Sequence, residues 1–176
     1  MDKIIFFENE KTEQCAGENY YAFLDYAFQN TDCFMLVYVN YYNQGYSKKM
    51  KYYKNILNKY KVKSRSNPSW PGVLETYCPN TTYKIVFYKT DPEAKEILKQ
   101  VDKLSAWSRP SYPEDLSFFK GNQCWFYSVG HEGIGAILHA REEDIDFVAS
   151  LKLAKREDAL TYDSYYDACD EELETK

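Results

Sequence analysis

The chain of 176 residues lacks several features that point directly to a cellular location. Its longest dense apolar run covers 34–39, far short of the ~18 apolar residues that a membrane-spanning helix needs. The apolar block at 4–7 is too short for a signal peptide. The five cysteines are odd in number, and the nearest pair, Cys15 and Cys33, is 18 positions apart, which disfavours both a disulfide framework and a paired-cysteine zinc site. These absences predict a cytoplasmic protein that does not contact membranes.

Motifs of the common enzyme classes are also missing. The chain has two histidines, no glycine-rich phosphate loop, no nucleophile elbow and no zinc-protease helix. Candidates for acid–base chemistry are therefore His131 and Glu132 in a glycine-flanked turn, with Cys124 on the preceding strand as a nucleophile. In the structural alternative, which we favour, Cys124 is a buried thiol and His131 stabilises its own turn by hydrogen bonds. We predict no metal site and no cofactor.

Aromatic residues are abundant, with 18 Tyr, 10 Phe and 3 Trp. Their large side chains compensate for a modest aliphatic content, so we expect a folded domain with a tyrosine-rich core. Ser47 and the run Asp91-Pro-Glu93 are typical helix starts, and Gly121-Asn122 is typical of a hairpin turn. The apolar patterns predict strands over 4–7, 33–39, 61–65, 82–89, 116–119, 124–129 and 134–139, and helices over 18–29, 48–60, 91–101 and 141–151.

These elements predict an α+β fold, a mixed β-sheet with helices packed on it. The first half reads βαβαβα, and the second half reads as a three-strand meander closed by a helix. Because the first half alternates strands and helices, an α/β fold with a parallel sheet is the alternative. We expect 1–160 to form a single domain, with the proline-bearing segment 108–113 as the boundary if there are two lobes. The acidic segment 161–176 is expected to be a poorly ordered tail.

The distribution of charge is more informative than the net charge of −5. The interval 33–74 contains no acidic residue and eight basic ones, whereas 141–176 contains twelve acidic and five basic residues. Such segregation attracts a phosphate-bearing ligand or an acidic protein to the basic helix. Nucleic acid is a less favoured ligand, since the chain is acidic overall, although neighbouring tyrosines offer stacking surfaces. The simpler alternative is that the lysines form the solvated face of an amphipathic helix. The tyrosines concerned are Tyr41, Tyr42, Tyr46, Tyr52 and Tyr53.

We therefore predict a non-catalytic cytosolic binding or regulatory protein that engages an anionic or protein partner. Its contact residues would come from the basic helix and from two Trp–Arg neighbourhoods bracketed by prolines, Arg65 with Trp70 and Trp107 with Arg109. Such pairs are typical of binding hot spots. Alternatively, each tryptophan fills a gap between the two halves of the chain. A small hydrolase or transferase using His131, Glu132 and Cys124 is the second functional hypothesis. The predicted anion- or partner-binding residues are Lys48, Lys51, Lys59, Arg65, Trp70 and Arg109.

Two stretches carry a resemblance to other proteins. They are Lys63-Ser-Arg-Ser-Asn-Pro-Ser-Trp-Pro-Gly72 and Phe118-Phe-Lys-Gly-Asn-Gln-Cys-Trp-Phe-Tyr-Ser-Val-Gly-His-Glu132. With them the chain resembles, up to about Ala154, a group of small uncharacterised proteins of low-GC Gram-positive bacteria. The resemblance implies a bacterial source, with which the many Tyr, Lys and Asn residues agree. It implies no activity, no ligand and no role for any residue.

Overall fold

The computed structural model describes residues 2–76, 78–162 and 164–171. Within these ranges no helix is long and apolar enough to cross a membrane. The strands are β1 (Lys3–Phe6), β2 (Cys33–Asn40), β3 (Lys61–Ser66), β4 (Thr82–Lys89), β5 (Glu114–Lys120), β6 (Gln123–Val129), β7 (Ile134–Ile137) and β8 (Leu160–Thr161). The α-helices are α1 (Lys11–Gln14), α2 (Glu18–Asn30), α3 (Lys48–Ile56), α4 (Pro92–Leu98) and α5 (Glu142–Ser150).

The strands form one sheet in the order β3-β4-β2-β5-β6-β7-β1-β8. Every neighbouring pair runs antiparallel, so the α+β prediction is confirmed, with an antiparallel sheet in place of the mixed one, and the parallel α/β alternative is wrong. Strand β2 pairs with β4 on one side and with β5 on the other, and it thereby joins the two halves of the chain. The loop 108–113 therefore connects parts of one sheet rather than two separate sheets.

Local signals account for where the main elements begin. The Ser47 hydroxyl accepts a hydrogen bond from the Met50 amide at 3.1 Å, which caps α3. Asp91 caps α4 in the same way by accepting from the Glu93 amide at 2.9 Å. The β5–β6 hairpin turns at Gly121, whose φ of 59° is favourable only for glycine and a few other residues. These three predicted boundaries are confirmed.

The two faces of the sheet are covered differently. The longer helices α2, α3, α4 and α5 all bury their apolar sides on one face, which we call the helical face. The opposite face, here the loop face, is covered by the segment around Trp70 and by the C-terminal segment that carries Cys169. Since both faces are covered, residues 34–39 of β2 are all buried, as the uniformly apolar run predicted.

The core is rich in tyrosine and tryptophan, and the polar atoms of four of these residues have partners within it. The Trp107 Nε1 donates to the Tyr20 hydroxyl at 2.9 Å, and Tyr20 donates to the Leu98 carbonyl at 2.7 Å. The hydroxyls of Tyr38 and Tyr88 are 2.7 Å apart. Because these polar tips are bonded, the aromatic rings can be buried without a large desolvation cost.

The C-terminal segment differs from the poorly ordered tail that we expected. Strand β8 pairs with β1, and a short 3-10 helix over Tyr166–Cys169 buries Cys169 against the loop face. The Glu171 carboxylate then meets Arg65, with Arg65 Nε 3.2 Å from each of its oxygens. Isolated contact residues of this kind produce no helical stripe in the sequence, which is why the periodicity did not reveal them. Residues 163 and 172–176 lie outside the described residues.

Candidate functional site

The loop around Trp70 packs on the sheet and does not present the indole to solvent. Trp70 is 7% exposed, its Nε1 donates to Asp115 Oδ2 at 2.7 Å, and its ring lies 5.3 Å from that of Tyr83. The other tryptophan of the predicted Trp–Arg pairs, Trp107, is fully buried on the helical face. Both indoles therefore belong to the core, in agreement with the alternative that each tryptophan fills a gap in the fold.

The predicted basic residues fall into two groups according to their partners. Lys59 lies 3.0 Å from Glu93, and Arg65 is paired with Glu171, so internal carboxylates already neutralise both charges. On α3, in contrast, the lysines at 48, 49 and 51 are exposed, and no ion pair within the described residues involves them. We call these three residues, Lys48, Lys49 and Lys51, the lysine face.

The lysine face and the Trp70 loop do not form one surface. Helix α3 buries Met50 and Tyr53 on the helical face of the sheet, whereas Trp70 packs on the loop face. Tyr53 is thereby removed from the surface, and of the neighbouring tyrosines only Tyr42 and Tyr52 are largely exposed. The sheet separates the two regions that we expected to contact a partner together.

Cys124, His131 and Glu132 are not brought together either. Cys124 lies at the start of β6 and His131 follows its end, a separation of roughly 20 Å for an extended strand of this length. Cys124 is fully buried on the loop face, and burial raises the pKa of its thiol well above the ordinary value. His131 Nε2 lies 3.6 Å from Glu132 Oε1. A thiol nucleophile activated by His131 is therefore excluded by this geometry.

His131 instead approaches two buried carboxyl groups at the beginning of β5. Glu114 and Asp115 open that strand, and the 3-10 turn Gly130–Glu132 after β6 carries His131 to the same end of the sheet. One ligand atom of each of the three side chains lies within 4.8 Å of the others. We call these residues, Glu114, Asp115 and His131, the acid–histidine cluster.

Asp115 is held in place by backbone and side-chain contacts. Its φ is 62°, an uncommon value for a residue with a side chain, beside an irregularity in the pairing of β2 with β5. Its Oδ1 accepts from the Gly130 amide at 2.9 Å, and its Oδ2 accepts from Trp70. Although these N–H groups favour the carboxylate, burial outweighs them and raises the pKa of Asp115.

Glu114 is buried with less support than Asp115. Its side chain is 2% exposed and its Oε2 has no hydrogen-bond partner, the nearest cation being Arg109, whose Nε is 3.5 Å away. Burial, and then the neighbouring charge of Asp115, raise the pKa of Glu114 to about 7, against the opposing effect of Arg109. The Glu114 carboxyl group therefore titrates near neutral pH.

Arg109 and His131 form the outer side of the cluster. Arg109 Nη2 lies 3.1 Å from His131 Nδ1 and 2.8 Å from Nε2, and the Arg109 side chain is 40% exposed. Sequence reasoning identified these two residues separately and missed both buried acids. The sequence carries one signal for the two acids, because Glu114-Asp115 stand directly before the apolar run of a strand. An acid at such a buried position needs a partner, which marks the pair as candidates for a site.

A second group of titratable side chains lies at the other histidine. His139 Nδ1 is 3.0 Å from Asp2 Oδ2, and Nε2 is 3.6 Å from Asp170 Oδ1. Asp170 Oδ1 also accepts from the Cys124 amide at 2.8 Å. His139, Asp167 and Asp170 each place one ligand atom within 4.8 Å of the other two. The His139 ring is thus engaged on both sides, with Nδ1 facing Asp2 near the N-terminus and Nε2 facing Asp170 of the C-terminal segment.

Comparisons with known proteins add no family assignment. The chain matches no protein-family profile, and neither the curated proteins nor the solved structures contain a significant match. The resemblance to proteins of Gram-positive bacteria therefore stays a prediction.

Proposed function

We propose that the protein is a non-catalytic binding protein whose lysine face contacts an acidic surface of a protein partner. The observation that carries this proposal is that Lys48, Lys49 and Lys51 are exposed on one helix without an ion pair among the described residues. Other basic residues of the acid-free interval, such as Lys59 and Arg65, are already paired. Within this interval most of the unpaired positive charge among the described residues therefore lies on α3, where it attracts negative charge.

The form of the lysine face favours distributed carboxylates over a single phosphate group. Three separate ammonium groups on a convex helix are point charges without the planar fork with which arginine holds a phosphate. The start of α3 offers little to an anion, because the Ser47 hydroxyl already accepts from the Met50 amide. A single nucleic-acid strand is also disfavoured, because Tyr53 is buried and Tyr46 is partly buried against Tyr38.

We place this binding role in the cytoplasm. All five cysteines are free thiols, and Cys15, Cys124 and Cys169 are buried within the fold. A fold that contains buried free thiols and no disulfide suits a reducing compartment.

The proposal is tested by fluorescence anisotropy with a fluorescein-labelled polyglutamate peptide. The variant Lys48→Gln/Lys49→Gln/Lys51→Gln should bind about tenfold more weakly than the wild type, because three exposed charge contacts at about 0.5 kcal/mol each sum to ~1.5 kcal/mol. Binding by the wild type should weaken as salt rises, since the Debye length falls from ~30 Å at 0.01 M to ~8 Å at 0.15 M.

The matched control changes the same number of charges elsewhere. Lys89, Lys120 and Lys155 are exposed and lie outside α3, so their combined change to Gln should leave peptide binding close to that of the wild type. Equal losses in both triple variants would show a non-specific effect of net charge and would refute the lysine face. Tighter binding of a labelled single-stranded oligonucleotide than of the peptide would refute the assignment to a protein partner.

A further inference from the structure

The acid–histidine cluster carries more buried negative charge than the residues around it neutralise. The Glu114 side chain is 2% exposed and Asp115 is fully buried. Asp115 receives its two hydrogen bonds from the neutral N–H groups of Trp70 and Gly130. Among the described residues, the one ion pair made by either acid is the contact of Glu114 with Arg109 at 3.5 Å. Buried carboxylates are normally paired with cations or bound to metal ions.

The possible ligand atoms of the cluster lie close together. Glu114 Oε2 is buried and has no hydrogen-bond partner, so a lone pair remains available beside Asp115 and His131. The three ligand atoms lie within 4.8 Å of one another. Three atoms bound ~2.1 Å from one ion at tetrahedral angles lie ~3.4 Å apart, so side-chain movements of up to about 1 Å would complete the site.

We propose that Glu114, Asp115 and His131 bind a divalent transition-metal ion, and that the ion displaces the guanidinium of Arg109. This site is independent of the lysine face, so it goes beyond the proposed function and does not depend on it. The two carboxylate oxygens and one imidazole nitrogen match the ligand preferences of Mn²⁺ and Zn²⁺. Mg²⁺ and Ca²⁺ prefer ligand sets made of oxygen alone, so this cluster, which includes an imidazole, should bind them more weakly.

Arg109 acts in this arrangement as the competing cation. Its guanidinium contacts both His131 and Glu114, and therefore occupies the position from which an ion would reach both ligands. Its side chain is 40% exposed, so it can turn into solvent without leaving a buried charge unpaired once the ion is present. Because Arg109 competes with the ion, removal of Arg109 should strengthen metal binding.

The experiment is a titration of the full chain with Mn²⁺, after treatment with EDTA and its removal, in which electron paramagnetic resonance reports the free ion. Zn²⁺ is titrated separately by competition with a chromophoric indicator. Wild-type protein should bind one ion at this cluster. His131→Gln and Glu114→Gln should each weaken binding at least about tenfold, and Arg109→Gln should tighten it severalfold.

A matched control distinguishes this cluster from the one at His139. Asp167→Asn removes an acid from the second group and should leave the affinity unchanged. The proposal is overturned if neither ion binds the wild type, if His131→Gln and Glu114→Gln bind like the wild type, or if Asp167→Asn alone abolishes binding. Weaker binding by Arg109→Gln would also overturn it. His131 lies at the surface and Gln keeps the shape of Glu, and circular dichroism verifies that each variant is folded.

Discussion

Replacing Glu114 by Gln should make the protein more stable at high pH than the wild type. Glu114 is buried at the start of β5, and its pKa is raised from the ordinary value of 4.5 to about 7. Between these two values the carboxyl group is protonated in the native state and ionised in the unfolded chain. The native state therefore binds more protons, and the free energy of unfolding falls as the pH rises through this interval. Gln keeps the shape and has no proton to lose.

The size of the effect follows from the change in pKa. Each unit of difference between the pKa in the native state and the pKa in the unfolded chain is worth about 1.36 kcal/mol. Ionising buried Glu114 therefore costs roughly 3 kcal/mol by pH 8. The side chain is 2% exposed, so little of this cost is relieved by solvent. The difference in unfolding free energy between Glu114→Gln and the wild type should thus grow by roughly 3 kcal/mol from pH 4.5 to pH 8.

The assay is urea unfolding followed by tryptophan fluorescence, at several pH values and with EDTA present. Titrating groups distant from Glu114 cancel in the difference between the two proteins, so the pH dependence of that difference reports Glu114 together with its coupled neighbour Asp115. Glu132→Gln is the control, because it removes an exposed carboxylate beside the same histidine and leaves the buried acids in place. A flat curve for Glu114→Gln, or a loss of stability that grows with pH, would show that Arg109 holds Glu114 ionised and would refute the reasoning.

Two other predictions concern the C-terminal segment and the thiols. Glu171→Gln should lower the free energy of unfolding by about 1–2 kcal/mol, because the charged contact with Arg65 is largely buried. The control Glu157→Gln, at an exposed position, should not lower it. Equal urea midpoints for the two variants would contradict the attachment of the C-terminal segment by Glu171. Hydrogen bonding lowers the pKa of Cys78 and burial raises that of Cys124, so Ellman's reagent should modify Cys78 first and Cys78→Ser should remove the fastest phase. Rapid modification of native Cys124 would contradict its burial.

Much of the local structure was predictable from the sequence, because its determinants are local. The apolar run of β2, the cap at Ser47 and the Asp91 helix start act through neighbours in the chain, and the structure confirms each of them. The α+β class also followed from the order of such elements. The direction of strand pairing did not, since helix–strand alternation in the first half is compatible with parallel and antiparallel sheets alike.

The functional residues depended on pairings between distant parts of the chain. Pairing of β2 with β5 buries Glu114 and Asp115, and the turn after β6 then brings His131 to them. The prolines beside Trp70 indicated a fixed loop, but the acceptor of its indole, Asp115, is 45 positions away and was not predicted. The sequence alone thus determined which segments form strands and helices, through propensity and capping. Tertiary structure decided which charges are neutralised and which remain, because burial and partner distance set the energy of a charge, and neither is encoded by spacing along the chain.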